Sequence, residues 1–422
     1  MHRKKNRGIK KWVIGLALFL LLVDIYLYSA MQATLPETEH FPAGIVFWFL
    51  SLFFVVLVLL LYRKAADDQK RNSFRTGLLL SAGLGILFGK AFLLLAVLTD
   101  DAIRIGNWLV ESLQNLNAGK RIALAGRNKN IIQTGMAMAA LPISALTYGI
   151  SIGAHDYKVS RIKLPVQNLP PELHGFRIGQ ISDIHAGSLR SRRGVSKGIY
   201  RLLKEEADLI FFTGDLVNTS AHEVEEMADI FAGVSAPHGV YSILGNHDYG
   251  LYRKWNSKAE EKRNFEELKA WHARFGWKLL MNEHAIIQFG DFSMAVIGIE
   301  NWGKSSRMPK FGKLDKAMEG MPSADFNILL SHDPSFWEAG VLSKPALKID
   351  LTLSGHTHGM QFGVHTRYFK WSPVRYVSKH WSGLYQEGDR YLYVNRGFGH
   401  HGFPGRIGMP PEITIIELIP ES

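Results

Sequence analysis

The sequence predicts a two-part chain, with a membrane domain over residues 1–155 and an α/β domain over residues 156–422. Long apolar runs concentrate before about residue 155 and are too apolar for ordinary surface helices. Residues 1–155 hold 17 Lys and Arg against 8 Asp and Glu, so nine of the eleven net positive charges lie there. After residue 156, short β-rich apolar runs alternate with helical patterns, which is typical of an α/β fold.

Four apolar runs are long enough to cross a bilayer, at residues 12–30, 43–62, 77–98 and 131–152. Several Lys and Arg residues precede the first run, and no Lys or Arg lies between residues 31 and 42. This pattern indicates an uncleaved signal anchor whose N-terminus lies inside. Lys90 falls within the third run, and we interpret it as a residue that snorkels to the interface. Residues 102–118 have a mixed, roughly helical pattern, and we expect them at the membrane interface.

The membrane side of the second domain stays open. Counting four crossings from an N-terminus inside places the second domain inside. The basic residues before the fourth run favour the outside instead; they are Lys120, Arg121, Arg127 and Lys129. Basic residues also follow that run, so the signals balance. We therefore expect a multi-pass protein of the inner or plasma membrane with its second domain on an undetermined side.

Two features of the composition exclude classes of function. The chain has no cysteine, which excludes disulfides, thiolate catalysis and cysteine-bound zinc. The second domain carries only two of the eleven net positive charges, so nucleic acid is not expected as a specific partner. The basic excess instead flanks apolar runs, as expected for contact with membrane lipids.

Polar residues follow five predicted strands, at residues 176–182, 208–213, 239–244, 326–330 and 350–353. Because the carboxyl ends of strands form the site crevice in α/β folds, these residues are predicted to converge on one site. In chain order they are Asp183 and His185; Asp215; Asn246, His247 and Asp248; His332; and His356 and His358.

Most of these motifs are weak alone, since Gly214-Asp215 is common turn chemistry and a single His332 is more often structural. Gly-His-Thr-His-Gly at residues 355–359 is the strongest, because two histidines between glycines suit ligation on a tight loop. Hydrolysis of a phosphoester can use two divalent cations about 3.5–4 Å apart, and a bridging carboxylate would hold them together. Mixed imidazole and carboxylate ligands suit Mn, Fe or Zn better than Mg or Ca.

The ordered motifs D-x-H, G-D, G-N-H-D, H and G-H-T-H resemble those of the calcineurin-like metallophosphoesterase superfamily. Residues 395–399 and 411–414, with the preceding spans, are similar to its bacterial membrane-associated phosphodiesterase branch. The resemblance covers about Val159 to Leu418. It implies a sandwich of two mixed β-sheets flanked by helices.

The resemblance also implies roles for the motif residues. The first metal ion would be bound by Asp183, His185 and His358, and the second by Asn246, His332 and His356. Asp215 would bridge the two ions, and a hydroxide between them would attack phosphorus in line. His247 would donate a proton to the leaving oxygen or orient it, with Asp248 tuning His247. Met360 stands where relatives often have a further glycine.

We therefore predict a membrane hydrolase of phosphodiester or pyrophosphate bonds. A pyrophosphatase of a lipid precursor such as UDP-diacylglucosamine, which would make the substrate lipid-linked, is an alternative. A non-catalytic scaffold on the same fold is another. Four short-looped spans with one buried charge argue against a transporter or sensor. The oligomeric state is not determined by the sequence.

Some residues near the C-terminus have two interpretations. Arg396 could clamp a phosphate or lie on a surface loop, and Arg406 is a weaker candidate for the same role. His400 and His401 could add to the site, but we interpret them as loop residues. Four aromatic residues after the last histidine motif form either an apolar lip near the membrane or part of the core: Trp371, Tyr376, Trp381 and Tyr385.

Overall fold

The computed structural model describes residues 2–64, 74–115, 122–306, 308–366 and 368–421. The chain divides into two compact units. The first holds the residues up to Thr147 except for a short stretch that ends at Gly77, and the second holds that stretch and the residues from Tyr148 onward.

The first unit contains four helices: α1 (His2–Gln32), α2 (Glu37–Lys64), α3 (Phe74–Gln114) and α4 (Lys129–Ser151). Among the described residues, α2, α3 and α4 are long and apolar enough to cross a membrane, and the apolar stretch found in α1 is shorter, Leu18–Gln32. The expected interfacial segment is not a separate element, because residues 102–114 continue α3 without a break. Residues 116–118 of that segment lie outside the described residues.

Lys90 lies within an ion pair between α1 and α3. Its Nζ is 2.7 Å from Asp24 Oδ1, and the two side chains are only 14% and 5% exposed. Its ammonium also lies 5.8 Å and 5.7 Å from the ring centroids of Phe47 and Phe54 on α2. Lys90 is therefore held by partners on two helices and is not the snorkelling residue that we expected.

The second unit begins with β1 (Lys158–Val166), β2 (Arg177–Ile181), α5 (Arg192–Leu203), β3 (Leu209–Phe212), α6 (Ala228–Ala232), β4 (Val240–Ser242), α7 (Lys258–Arg274) and β5 (Trp277–Leu279). It continues with β6 (Glu283–Phe289), β7 (Phe292–Gly298), α8 (Leu314–Ala317), β8 (Phe326–Leu330), β9 (Leu351–Ser354), β10 (Val364–His365) and β11 (Lys370–Trp371). The last strands are β12 (Gly383–Glu387), β13 (Arg390–Val394) and β14 (Glu412–Pro420).

These strands form two six-stranded sheets and one small hairpin. The first sheet has the order β1-β14-β2-β3-β4-β5 and the second has the order β12-β13-β9-β8-β7-β6. β2, β3 and β4 run parallel in the first sheet, and β7, β8 and β9 run parallel in the second. β10 and β11 pair only with each other among the described strands.

Strand β3 shows why the sheets form a sandwich. Leu209 and Phe211 pack into a buried cluster shared with strands of the second sheet, while Ile210 and Phe212 pack against α5, α6 and α7. Successive side chains of a strand point to opposite faces, so a strand buried on both faces is a continuous apolar run. Helix α8 covers the outer face of the second sheet. The predicted sandwich of two mixed sheets flanked by helices is confirmed.

Candidate metal centre

The polar motifs lie on loops that follow parallel strands of both sheets. The loops after β2, β3 and β4 carry the residues from Asp183 to Asp248, and the loops after β8 and β9 carry His332, His356 and His358. The two sets of loops meet, because His185 Nε2 and His358 Nε2 are 3.0 Å apart. The structure therefore brings six of the seven predicted ligands into two clusters, and the seventh, Asn246, precedes His247 on the loop after β4.

Five of those seven residues have left-handed backbone, which non-glycine residues rarely adopt. Their φ angles lie between 47° and 71°, at Asp183, His185, Asp215, His356 and His358. Two glycines allow other segments to approach this backbone closely. A Cβ on Gly399 would lie 1.9 Å from the Ile184 carbonyl oxygen, and one on Gly355 would lie 2.2 Å from Asp183 Oδ2. Such conformations persist where surrounding packing enforces them, as it does at functional sites.

The first cluster contains Asp183, His185 and His358. All three are buried, and His358 Nε2 is 3.3 Å from Asp183 Oδ1. Two imidazole nitrogens at 3.0 Å require a proton or a cation between their lone pairs. Two nitrogens bound to one cation at about 2.0–2.1 Å, roughly at a right angle, would have this separation. The cluster therefore fits a transition-metal ion.

The second cluster contains Asp215, His332 and His356. His332 Nδ1 donates to the Thr213 carbonyl oxygen at 2.7 Å, which fixes the tautomer and leaves Nε2 for the site. Asn246 Oδ1, on the loop after β4, is also buried and has no hydrogen-bond partner. Buried polar atoms normally have partners, so this acceptor fits a cation ligand.

Asp215 joins the two clusters. Its Oδ2 lies 3.5 Å from His185 Nε2 and 3.2 Å from His332 Nε2. Its Oδ1 accepts the backbone amide hydrogen of His247 at 2.8 Å, which fixes the carboxylate plane. One carboxylate oxygen thus faces both half-sites, as a bridging ligand would.

The charges of this centre are strongly coupled. Burial alone would raise the pKa of Asp215, but the neighbouring His332 and His247 hold it well below its usual range. Burial would lower the pKa of His332, but Asp215 raises it to about 10. Burial lowers the pKa values of His185 and His356, which keeps both imidazoles neutral and able to bind a cation.

His247 lies beside the first cluster. Its side chain hydrogen-bonds to a backbone carbonyl and not to Asp248, the partner that we expected. Its Nδ1 donates to the Asn218 carbonyl oxygen at 2.8 Å, so Nε2 is the nitrogen left for chemistry. Asp248, which we expected to tune His247, instead accepts four backbone amide hydrogens, from Asp215, Leu216, Val217 and Gly245. Burial raises the pKa of Asp248 to about 7, against the effect of these donors. Asp248 is a positioning residue for the ligand loops.

His401, which we interpreted as a loop residue, lies beside His247 and His185. Its ring centroid lies 4.4 Å from that of His247 and 4.9 Å from that of His185, and its Nδ1 is 3.1 Å from Asn218 Oδ1. One ligand atom from each of the three histidines lies within 4.8 Å of the others. The available signals were weak: Asn218 stands three residues after Asp215, and His401 follows a glycine-rich stretch.

The proposed phosphate clamp at Arg396 needs correction. Arg396 is only 2% exposed, its Nε lies 3.4 Å from Glu412 Oε2, and it also contacts His365. Arg406 is equally buried, and its guanidinium donates to backbone carbonyls that include those of Gly399 and Arg396. Both arginines are already paired inside the fold, so neither is presented to a substrate.

Comparisons with known proteins agree with this geometry. Residues 9–154 match a family model described as a probable calcineurin-like phosphoesterase, transmembrane domain. Residues 176–360 match the model for calcineurin-like phosphoesterases, and that range includes all seven predicted ligands.

Three relatives illustrate the similarity. A transmembrane protein with metallophosphoesterase domain from Danio rerio is 29% identical over 293 residues, which is 68% of this chain and 62% of that relative. An uncharacterized metallophosphoesterase of Bacillus subtilis is 27% identical over 66% of this chain and 93% of its own. One from Campylobacter jejuni is 23% identical over 94% and 95%. The chain thus spans somewhat less than two thirds of the length of the Danio rerio relative.

Proposed function

The chain belongs to the calcineurin-like phosphoesterases and carries a transmembrane domain associated with them, and from this we propose that it hydrolyses phosphodiester or pyrophosphate bonds with two divalent metal ions. The observation that carries the proposal is the position of Asp215 Oδ2, within 3.5 Å of one imidazole from each half-site. A single-metal site would not need a carboxylate that faces both clusters.

The residues divide into two half-sites. Asp183, His185 and His358 would hold one ion, and Asn246, His332 and His356 would hold the other, with Asp215 shared between them. Two cations there would supply positive charge to the phosphoryl oxygens and acidify a water molecule. The donor set would consist of four imidazoles, one side-chain amide and two carboxylates. Such a set suits Mn, Fe or Zn.

The remaining steps fall to side chains that are not ligands. His247 Nε2 faces the site, because Nδ1 is held by the Asn218 carbonyl. In its protonated form His247 would give a proton to the leaving oxygen, which makes departure of an alkoxide easier. His401 lies against His247 and would restrict its rotation and the access of water.

The test uses the full chain in detergent, stripped of metal and reloaded with Mn²⁺, Fe²⁺ or Zn²⁺. We expect hydrolysis of a phosphodiester or pyrophosphate substrate, with about two ions bound per chain. Asp215→Asn should abolish turnover. Bound metal with no hydrolysis of any substrate would favour a scaffold, and absence of bound metal in the presence of hydrolysis would overturn the two-metal proposal.

A further inference from the structure

An exposed surface follows directly after the ligand loop and takes no part in the proposed reaction. We name residues 360–379 the aromatic–basic segment; it includes the β10–β11 hairpin. Of the twelve strongly exposed large apolar or aromatic side chains in the described residues after 156, seven lie in this segment. They are Met360, Phe362, Val364, Tyr368, Phe369, Tyr376 and Val377.

The exposure of these side chains is high. Val377 is 74% exposed, Tyr376 is 73% exposed and Phe369 is 56% exposed. Single exposed apolar residues are ordinary, but a concentration of them marks an interaction surface. Trp381 is buried at 6% exposure, as the core interpretation expects, whereas Tyr376 is exposed.

The charge of the segment has one sign. Residues 360–379 contain four Lys or Arg residues and no Asp or Glu, and one of the four, Lys379, pairs with Glu338 at 2.7 Å. Lys370 and Arg375 line an open cavity of about 520 Å³ together with Tyr376, Trp381 and Tyr385. The Lys370 ammonium lies 4.9 Å from the Tyr385 ring centroid, so its charge stays beside the aromatic surface. Such a cavity suits a phosphate group.

Backbone strain supports a role for the exposed side chains. Met360 has a φ of 50° and its side chain is 46% exposed. A left-handed conformation is unfavourable for an L-residue, and glycine would avoid that cost. An apolar side chain held in solvent on strained backbone points to a function for that side chain.

The segment is firmly attached to the ligand loop. Ser372 Oγ donates to the carbonyl of Gly359 at 2.7 Å, and Thr357 Oγ1 donates to the carbonyl of Trp381 at 2.7 Å. Trp381, Val374 and Met409 form a buried cluster beneath it. The exposed surface is therefore a rigid extension of the loop that carries His356 and His358.

We propose that the aromatic–basic segment docks on the surface of an anionic bilayer, with Lys370 and Arg375 on lipid phosphates and the aromatic rings at headgroup depth. Aromatic side chains concentrate at membrane interfaces, and the positive charges of Lys and Arg are attracted to an anionic lipid surface. Protein–protein interfaces, by contrast, are depleted in lysine. The chain is integral to a membrane, so a bilayer surface is always within reach.

The test exploits the absence of cysteine, because one introduced thiol labels a single position of the full chain. Val377→Cys would carry an environment-sensitive fluorophore, and Asp291→Cys, at the exposed turn between β6 and β7, would be the matched control. Both proteins would be placed in nanodiscs of neutral or anionic phospholipid with brominated acyl chains. We expect a blue shift and about threefold stronger quenching at residue 377 than at residue 291, in anionic discs only.

Further variants and conditions separate the possible occupants. Arg375→Gln should weaken the preference for anionic discs, and added salt should do the same. Equal quenching at the two labels would overturn the proposal. A shift in detergent that grows with protein concentration would identify a second copy of the chain, and a shift on addition of inorganic phosphate in detergent would identify a soluble anion; either would also overturn it. The readout needs no turnover, so it is independent of the proposed hydrolysis.

Discussion

The carboxylate of Asp248 accepts the backbone amide hydrogen of Asp215 at 2.8 Å, and the same oxygen accepts that of Gly245 at 2.8 Å. Its other oxygen accepts those of Leu216 and Val217. Asp248 therefore ties the loop after β3 to the loop after β4. Asp215, the proposed bridging ligand, is thus positioned by a second carboxylate that is not itself a proposed ligand.

Asp248→Asn should weaken metal binding without changing the shape of the pH–rate profile. The side-chain nitrogen of Asn carries hydrogens and cannot accept a hydrogen bond from a backbone amide. The hydrogen bonds that one of the two carboxylate oxygens of Asp248 accepts would therefore be lost. Loss of a residue that orients ligands costs about 10–100-fold in metal affinity. Metal titration of the stripped protein would measure this.

Asp350→Asn is the matched control, because Asp350 also accepts a backbone amide hydrogen, from Asn327, but lies before β9 and away from the ligand loops. We expect it to lower stability and leave metal affinity unchanged. A shifted pH–rate profile in Asp248→Asn with normal metal affinity would instead support the tuning role that the sequence suggested.

Asp215→Asn should reduce bound metal from about two ions per chain to one or none, because a bridge has lost its charge. Elemental analysis of the purified protein would show the change. Asp208→Asn is a control at the opposite end of β3, where Asp208 accepts the backbone amide hydrogen of Arg177. If Asp215→Asn keeps both ions, the assignment of the bridge is incorrect.

His247→Gln should lower turnover by about 10²–10⁴-fold for substrates with an alkoxide leaving group. The loss should be far smaller for a 4-nitrophenyl ester, because nitrophenolate leaves without a proton. Metal content should not change. Equal losses on the two substrates would rule out proton donation, and a loss of metal would show that His247 acts as a ligand with His185 and His401.

Lys90→Met should destabilise the first unit by about 3 kcal/mol, because Asp24 would remain buried and unpaired. The double variant Lys90→Met with Asp24→Leu should recover much of this loss. Thermal unfolding of the unmodified protein, the two single variants and the double variant in one detergent would give the coupling free energy between Lys90 and Asp24. Additive effects would mean that the ion pair contributes nothing.

Acidification should destabilise the second unit through His272. Burial lowers the pKa of His272 to about 3, whereas unfolding returns it to 6.5. Because the unfolded chain binds the proton first, stability is complete above pH 6.5 and falls as the pH drops toward 3. This group alone should cost about 1 kcal/mol between pH 7.5 and pH 5.5.

The comparison for that prediction is His272→Gln, which removes the titration and leaves the metal ligands in place. His272 packs between Phe212 and Trp277 and bonds Ser242, outside the ligand loops. Unfolding temperatures of both proteins across the same pH range would be compared, so that effects of other groups cancel. The prediction fails if the two proteins lose stability in parallel.

The sequence could predict the ligands because each follows an apolar strand, and strand ends converge in this class of fold. It could not predict the partners of Asp248 or Arg396. Asp248 follows His247 directly in the sequence, which suggested that it tunes His247. The Asp248 carboxylate instead accepts hydrogen bonds from backbone amides of residues more than thirty positions away. Arg396 stood in a glycine-rich stretch typical of surface loops, but β14 brings Glu412 beside it and buries both. Such pairings depend on tertiary contacts that local pattern does not encode.

The left-handed backbone of five predicted ligands depends on the close packing of neighbouring segments. Gly399 passes over Ile184 with no room for a Cβ, so a larger residue at position 399 would displace the loop between Asp183 and His185. This packing fixes where the side chains lie, whereas the chemistry of their donor atoms decides which ions they prefer. Since such ligand sets bind several transition metals, the ion acquired would be decided by which one the surrounding compartment supplies.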